Sequence, residues 1–377
     1  RAADPRGGRL ARSSRGIEIL AYADYARLMG DRRLDTLHPT HWQEQGAGPL
    51  TVDFLANGHL LTFEREKHLR VRRMMTTAFR ISRIEEQRAW FAEVANGLVD
   101  GFAARGSCDL VADFSHRYSI EILCRMIGVP AEDIPKFEQA TLDMVHLNAN
   151  PFTPVAPVVE AALRTLWDYS VEIVARRRLE PREDFISGMI AAEASDAGLT
   201  EQEQVWAVAN LLFAGHDTTR YQLAAAVHGL LASGAWAELA ADPSLAPAAV
   251  EEAIRMFPIV LLTSRVVATD DIVVDGVQMP RGTVLRMNWF AFNRDPEWFD
   301  EPDRFDLHRD ASGSVPFGVG LHKCVGHVLA RADLEVALDV LSARLDEPEL
   351  AAGVAFQPYT GSIGGPLALP IRFRSAA

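Results

Sequence analysis

Lysine and cysteine are scarce in this chain. Its 377 residues hold three lysines, Lys67, Lys136 and Lys323, and three cysteines, Cys108, Cys124 and Cys324. Three thiols at wide spacings exclude a disulfide framework and the paired spacing of a zinc site. They suit a reducing compartment, and a cytoplasmic protein is expected. Nearly all positive charge is arginine, which reflects a GC-rich bacterial genome rather than a mechanism. No run of 18 apolar residues occurs, so no transmembrane helix and no membrane partner are expected. Gly-x-Gly-x-x-Gly is absent, and no cysteine cluster could hold iron and sulfide, so the chain has no flavin, nicotinamide or iron–sulfur motif of its own. Basic residues number 38 against 51 acidic, a net charge of −13, which argues against nucleic acid. Residues 1–16 are Arg-rich, lack an apolar core and lack an initiator Met. They are expected to be a trimmed, poorly ordered start.

The stretch richest in chemistry is Phe317 to Gly326, F-G-V-G-L-H-K-C-V-G. Glycines let backbone pass close to something flat and bulky. Val325, Val328, Leu329, Leu334 and Val336 then recur at roughly helical spacing. A loop thus delivers Cys324 to the start of a helix, where N–H groups stabilise a thiolate. Such a thiolate is a good axial ligand for haem iron.

Three other stretches carry spacing. His68 and Arg72 lie at i and i+4 of one helix, a face suited to paired carboxylates or simply to solvent. A long helix is predicted from Thr200, with Glu203 completing a capping box. Its apolar run is interrupted by Gly215-His216-Asp217-Thr218-Thr219. These residues are locally unfavourable in mid-helix, so they mark either a kink or a functional backbone. Glu252 and Arg255, at i and i+3 before Pro258, would in isolation be a surface ion pair. Residues 31–60 are expected to be a long loop, and 83–145 successive helices. Residues 17–30 read as a strand and then a helix, and 270–290 as short strands.

Together these stretches resemble the cytochrome P-450 family of haem-thiolate monooxygenases. Phe317, Gly320, His322, Cys324 and Gly326 fill its cysteine-loop pattern, and Ala214-Gly215-x-Asp217-Thr218 its I-helix signature. His68-x-x-x-Arg72 and Glu252-x-x-Arg255 fill two more patterns. The likeness spans about residues 17–374. It implies a mainly α fold with small β-sheets, a single haem domain over 1–377, with a long I-helix and a cysteine-ligand loop. Haem b is the implied cofactor and O2 the co-substrate.

By the same resemblance, Cys324 is the iron ligand. His68, Arg72 and Arg265 hold the propionates. Ala214, Gly215, Phe317, Gly318, His322 and Gly326 border the haem, Gly215 making room over the iron. Thr218 hydrogen-bonds dioxygen or its water, and Asp217 belongs to the proton path, since splitting O–O takes two protons. Glu252, Arg255 and Arg309 form a buried structural cluster away from substrate. Residues 146–158 become a mobile loop over substrate access, and Gly361–Gly365 a turn in the pocket. Val208, Leu211, Leu212, Leu261, Leu262 and Ile363 are expected to line the pocket, for a mainly apolar or aromatic small molecule. Electrons from NAD(P)H would arrive through a ferredoxin and its reductase. A basic patch of Arg70, Arg73, Arg80, Lys323 and Arg331 would dock the ferredoxin. A peroxide-driven or non-oxygenating relative and a haem-binding sensor are the other readings, and the Asp217-Thr218 pair argues against both.

Overall fold

The computed structural model describes residues 8–13, 16–195, 198–315, 317–357 and 363–375. The architecture is mainly helical with small sheets, organised around one helix, Glu201–Ser233. This central helix is buried on almost every side, as an all-round apolar helix must be. Its start is the capping box expected from sequence: Glu203 N–H donates to Thr200 Oγ1, and Thr200 N–H to Glu203 Oε2 at 3.0 Å. Gly234, at φ 80°, ends it. Helices His116–Ile127, Ala156–Leu179 and Ala246–Met256 pack around it, as does His327–Arg344, the helix after Cys324. Trp206, Val208, Leu212, Phe114 and Leu338 lie in the shared core.

A five-stranded sheet lies to one side, in the order Leu10–Ser13, Gly16–Ile19, Val284–Asn288, Leu262–Val267, Leu34–Asp35. Gly16–Ile19 runs parallel to Val284–Asn288, with Ile17 opposite Leu285, and the other pairings are antiparallel. A second core, with Tyr25, Leu285, Trp289 and Phe292, packs beneath it. Among the described helices none is long and apolar enough to cross a membrane.

Two expectations need correction. The stretch 1–16 includes a strand, Leu10–Ser13, paired along its length with Gly16–Ile19. Residues 31–60 are not one loop but carry helices at Thr40–Gln43 and Pro49–Asn57. The second lacks a local side-chain cap at Gly48. Its cap comes from Glu160, whose carboxylate accepts from Leu50 N–H and Thr51 N–H at 2.9 Å each and from Thr51 Oγ1 at 2.7 Å. A cap supplied from so far along the chain leaves no local signature.

Candidate active site

The cysteine loop is closed by its own backbone. Cys324 N–H donates to Phe317 O at 2.8 Å, Gly318 N–H to Val315 O at 3.1 Å and Lys323 N–H to Gly320 O at 3.2 Å. Gly318 and Gly320 have φ of 70° and 66°, a region that side chains resist. At Gly318 a Cβ would also press within 3.1 Å of the Trp289 ring. The loop is held from below by a buried chain of contacts. Glu252 accepts from Arg255 at 2.7 and 2.8 Å and from Arg309 Nε at 3.1 Å. Arg255 donates to Asn293 O at 2.7 Å, and Asn293 Oδ1 accepts from Val315 N–H at 3.2 Å. None of Glu252, Arg255 and Arg309 reaches the cavity.

Above the loop is a cavity of about 370 Å³. Cys324 is exposed and lines this cavity. Burial pushes its thiol up, while the Gly326 N–H and the charges of Arg72, Arg331 and Lys323 pull it down. Cys108 and Cys124 are buried, and burial pushes the Cys108 thiol to about 12 and Cys124 further up, so both are inert.

Two arginines of the cavity wall stand apart from any carboxylate partner among the described residues. Arg72 and Arg265 both line it, and burial holds each guanidinium below its ordinary value. Arg265 donates to Ser264 O at 2.8 Å, and neither arginine pairs with a carboxylate among the described residues. Burying a guanidinium this way is costly unless an anion joins it. The His322 imidazole, pushed down to about 3 by burial and neighbouring cations, keeps a buried Nδ1 without a partner. Two uncompensated guanidiniums, an orphaned imidazole nitrogen and a thiol facing one cavity fit an iron porphyrin with two carboxylates. His68 lines the cavity as well. Its ring nitrogens face Leu60 O at 2.8 Å and Leu321 O at 3.0 Å, so it ties helix Arg65–Thr76 to the cysteine loop.

Across the cavity runs the central helix. Ala214 is exposed in mid-helix because it faces the cavity, and Thr218 is half-buried one turn on. Thr218 donates to Ala214 O at 2.8 Å, so its hydroxyl presents an acceptor oxygen to the cavity. Asp217 Oδ1 takes two hydrogen bonds from Arg220, at 2.7 and 3.1 Å, while Oδ2 is buried without a partner. Burial raises the Asp217 carboxyl, and Arg220 opposes it. Gly215 borders the cavity, but a Cβ there would lie 2.7 Å from Leu123 Cδ1. The glycine therefore serves the close approach of helix His116–Ile127, not only room within the cavity.

Of the expected apolar lining, Leu211, Leu262 and Ile363 face the cavity, and Val208, Leu212 and Leu261 do not. Val208 and Leu212 lie on the far side of the helix from Ala214 and are fully buried in the core. Leu261 alternates outward between Val260 and Leu262, as strand geometry requires. Ile363 is held inward by its bridge to Val260, while Gly361 and Ser362 lie outside the described residues. Residues 146–158 close the cavity's far side with Asn148, Ala149 and Asn150, anchored by Trp42 Nε1 to Leu147 O at 3.0 Å and Thr153 Oγ1 to Gln45 O at 2.9 Å.

The residues missed are polar: Asn210 and His59, and the buried Asp333 behind the cysteine. Asn210 had a signal, an amide inside an apolar run one turn before Ala214. His59 had none. Two members of the expected basic patch are already paired, Arg70 with Glu203 at 2.5 Å and Arg331 with Glu251.

The chain is 32% identical over 373 residues to luteothin monooxygenase of Streptomyces thioluteus, covering 97% of this chain and 90% of that protein. The chain belongs to the cytochrome P450 family. The family's profile matches residues 240–342. This P450 is also 33% identical to the vitamin D(3) 25-hydroxylase of Pseudonocardia autotrophica, over 89% of this chain and 81% of that protein. Its fold superimposes on the crystal structure of CalO2 with a TM-score of 0.89 at 28% identity, over 98% of this chain and 93% of that one. It likewise matches P450BioI, solved with an acyl-carrier-protein-linked hexadec-9Z-enoic acid, with a TM-score of 0.87 at 26% identity, over 95% and 92%. This P450 is thus an oxidoreductase enzyme, a monooxygenase by family.

Proposed function

We propose that this P450 inserts one oxygen atom of O2 into a largely apolar small organic molecule, a secondary-metabolite intermediate, within one catalytic domain. The observation that carries this is the alignment, across one cavity, of Cys324 with the Ala214–Thr218 face of the central helix. Cys324 is the proposed iron ligand, with Arg72, Arg265 and His322 toward the propionates of haem b. When bound, haem supplies the activation of O2 and the oxidation of the C–H bond. The chain's own part is to place and move protons. The Thr218 oxygen accepts a hydrogen bond at the cavity surface, and Asp217, buried and held by Arg220, is the next residue on the proposed proton path. Leu211, Leu262, Ile259 and Ile363 hold an apolar substrate body and exclude water.

Electrons are proposed to come from a ferredoxin and its NAD(P)H-dependent reductase, in the cytoplasm. Arg73, Arg80 and Lys323 are exposed and support this. Lys323→Glu with Arg73→Glu should slow the first electron and flatten its salt dependence. An unchanged rate at every ionic strength would remove the patch.

The test of the reading as a whole is the CO difference spectrum of the reduced protein. A red-shifted Soret band, lost in Cys324→Ala, is expected. A band at the position of histidine ligation would overturn it. Thr218→Ala should then spend reducing equivalents on peroxide and water in place of product.

A further inference from the structure

The cavity is apolar along one side, where Ile259, Val260, Leu262 and Ile363 meet. At the N-terminal end of the central helix's cavity face it also holds polar side chains. Asn210 lines the cavity at 5% exposure, four residues before Ala214. Its amide is in hydrogen-bonding contact with His59, which comes from the turn ahead of helix Arg65–Thr76. His59 is 9% exposed and also lines the cavity, with the rings of Phe54 and Phe213 at 5.5 and 6.4 Å. Its Nδ1 is buried and has no hydrogen-bond partner among the described residues. Burial pushes this imidazole down to about 4, so it is neutral at physiological pH.

A buried amide and a neutral imidazole with an unused nitrogen are out of place against a hydrocarbon. Unpaired polar groups in an apolar site disfavour binding of a ligand that cannot join them. A carboxylate or ammonium would be a poor occupant as well, because neither residue carries the opposite charge needed to offset its desolvation. A hydroxyl or carbonyl oxygen suits both, since the amide can donate or accept and the imidazole nitrogen can do either by tautomer.

Building on the proposed oxidation, we propose that Asn210 and His59 hold a neutral hydroxyl or carbonyl oxygen of an otherwise apolar substrate. The central helix then acts as a ruler. Asn210 stands about 6 Å along the axis from Ala214 and about 12 Å from Thr218, at about 1.5 Å per residue. The oxidised carbon is accordingly a few bonds from the anchored oxygen, and substrates are already oxygenated molecules. The reaction that supplies them is one that leaves a hydroxyl or carbonyl on a hydrocarbon frame.

The test uses cyclododecanol and cyclododecane as probes, with holoprotein of the wild type, Asn210→Leu and His59→Phe. Dissociation constants are read by calorimetry and by the Soret spin-state shift. The ratio of the two constants within one protein, compared between proteins, cancels each ligand's own solvation. The alcohol should lose about tenfold relative to the hydrocarbon in Asn210→Leu, with a shift of the same sign in His59→Phe. A ratio equal in all three proteins would overturn the proposal. Calorimetry reads the ratio whether or not a thiolate-ligated CO band forms, so failure of the polar anchor and failure of the oxidation reading are separable.

Discussion

The floor and the roof of the cavity are built in opposite ways. The floor is a contiguous loop, Phe317 to Gly326, whose hydrogen bonds close within ten residues and whose glycines meet a local dihedral demand. The roof joins four segments distant in sequence: residues 41–45, residues 59–62, to which helix Pro49–Asn57 leads, residues 145–150, and the middle of the central helix. Its joints are contacts between residues far apart in the chain, such as Glu160 to Leu50 and Thr51, or Trp42 to Leu147. A floor made this way holds a ligand atom in one place. A roof made this way can be altered piece by piece without disturbing that atom, which suits a scaffold whose chemistry is constant and whose substrates vary.

The largest effects should come from beneath the floor. Arg255→Met leaves Glu252 buried with only Arg309 and the Asp306 N–H as partners and cuts the path through Asn293 to Val315. Removing one member of a buried ion pair typically costs about 3–5 kcal/mol. Chemical denaturation should report a loss of that order, together with poor haem retention. A loss under about 1 kcal/mol would show that the cluster does not support the loop. Next is Gly318→Ala, which forces a side chain to φ 70° and toward Trp289. About 1–2 kcal/mol and a broadened, partly lost CO band are expected.

At the roof, Glu160→Gln keeps the shape but removes a charged acceptor shared by two backbone donors. About 1 kcal/mol is expected. Hydrogen exchange should quicken at the Leu50 and Thr51 amides while the CO band stays in place. A shifted band would mean that floor and roof are not separate.

The smallest effect is one of pH. The folded His59 imidazole is lowered from 6.5 to about 4, so the unfolded chain takes up a proton that the folded protein refuses. Its contribution to stability is whole above pH about 6.5 and is lost as pH falls toward 4. The melting temperature should fall over that window, less steeply in His59→Phe. Equal slopes would show that His59 is not buried neutral.

Legibility followed the same division. The cysteine loop, the capping box at Thr200 and the Ala214–Thr218 stretch were readable, because each is a pattern of neighbours. Helix Pro49–Asn57 was not, because its cap is a carboxylate more than a hundred residues away. Val208 and Leu212 were expected in the pocket because an apolar residue near the motif looks the same whether it faces core or cavity. Only the rotation of the helix against His116–Ile127, set where Leu123 meets Gly215, separates them.

The sequence by itself determined the family, the cysteine loop and the place of Asp217 and Thr218 on the central helix, since backbone dihedrals, helical period and capping act over a few residues. Tertiary structure decided which helix face looks into the cavity, which arginines are left without carboxylates and where His59 meets Asn210. Those depend on segments brought together by burial, and burial of apolar surface is not directional and leaves no spacing to read.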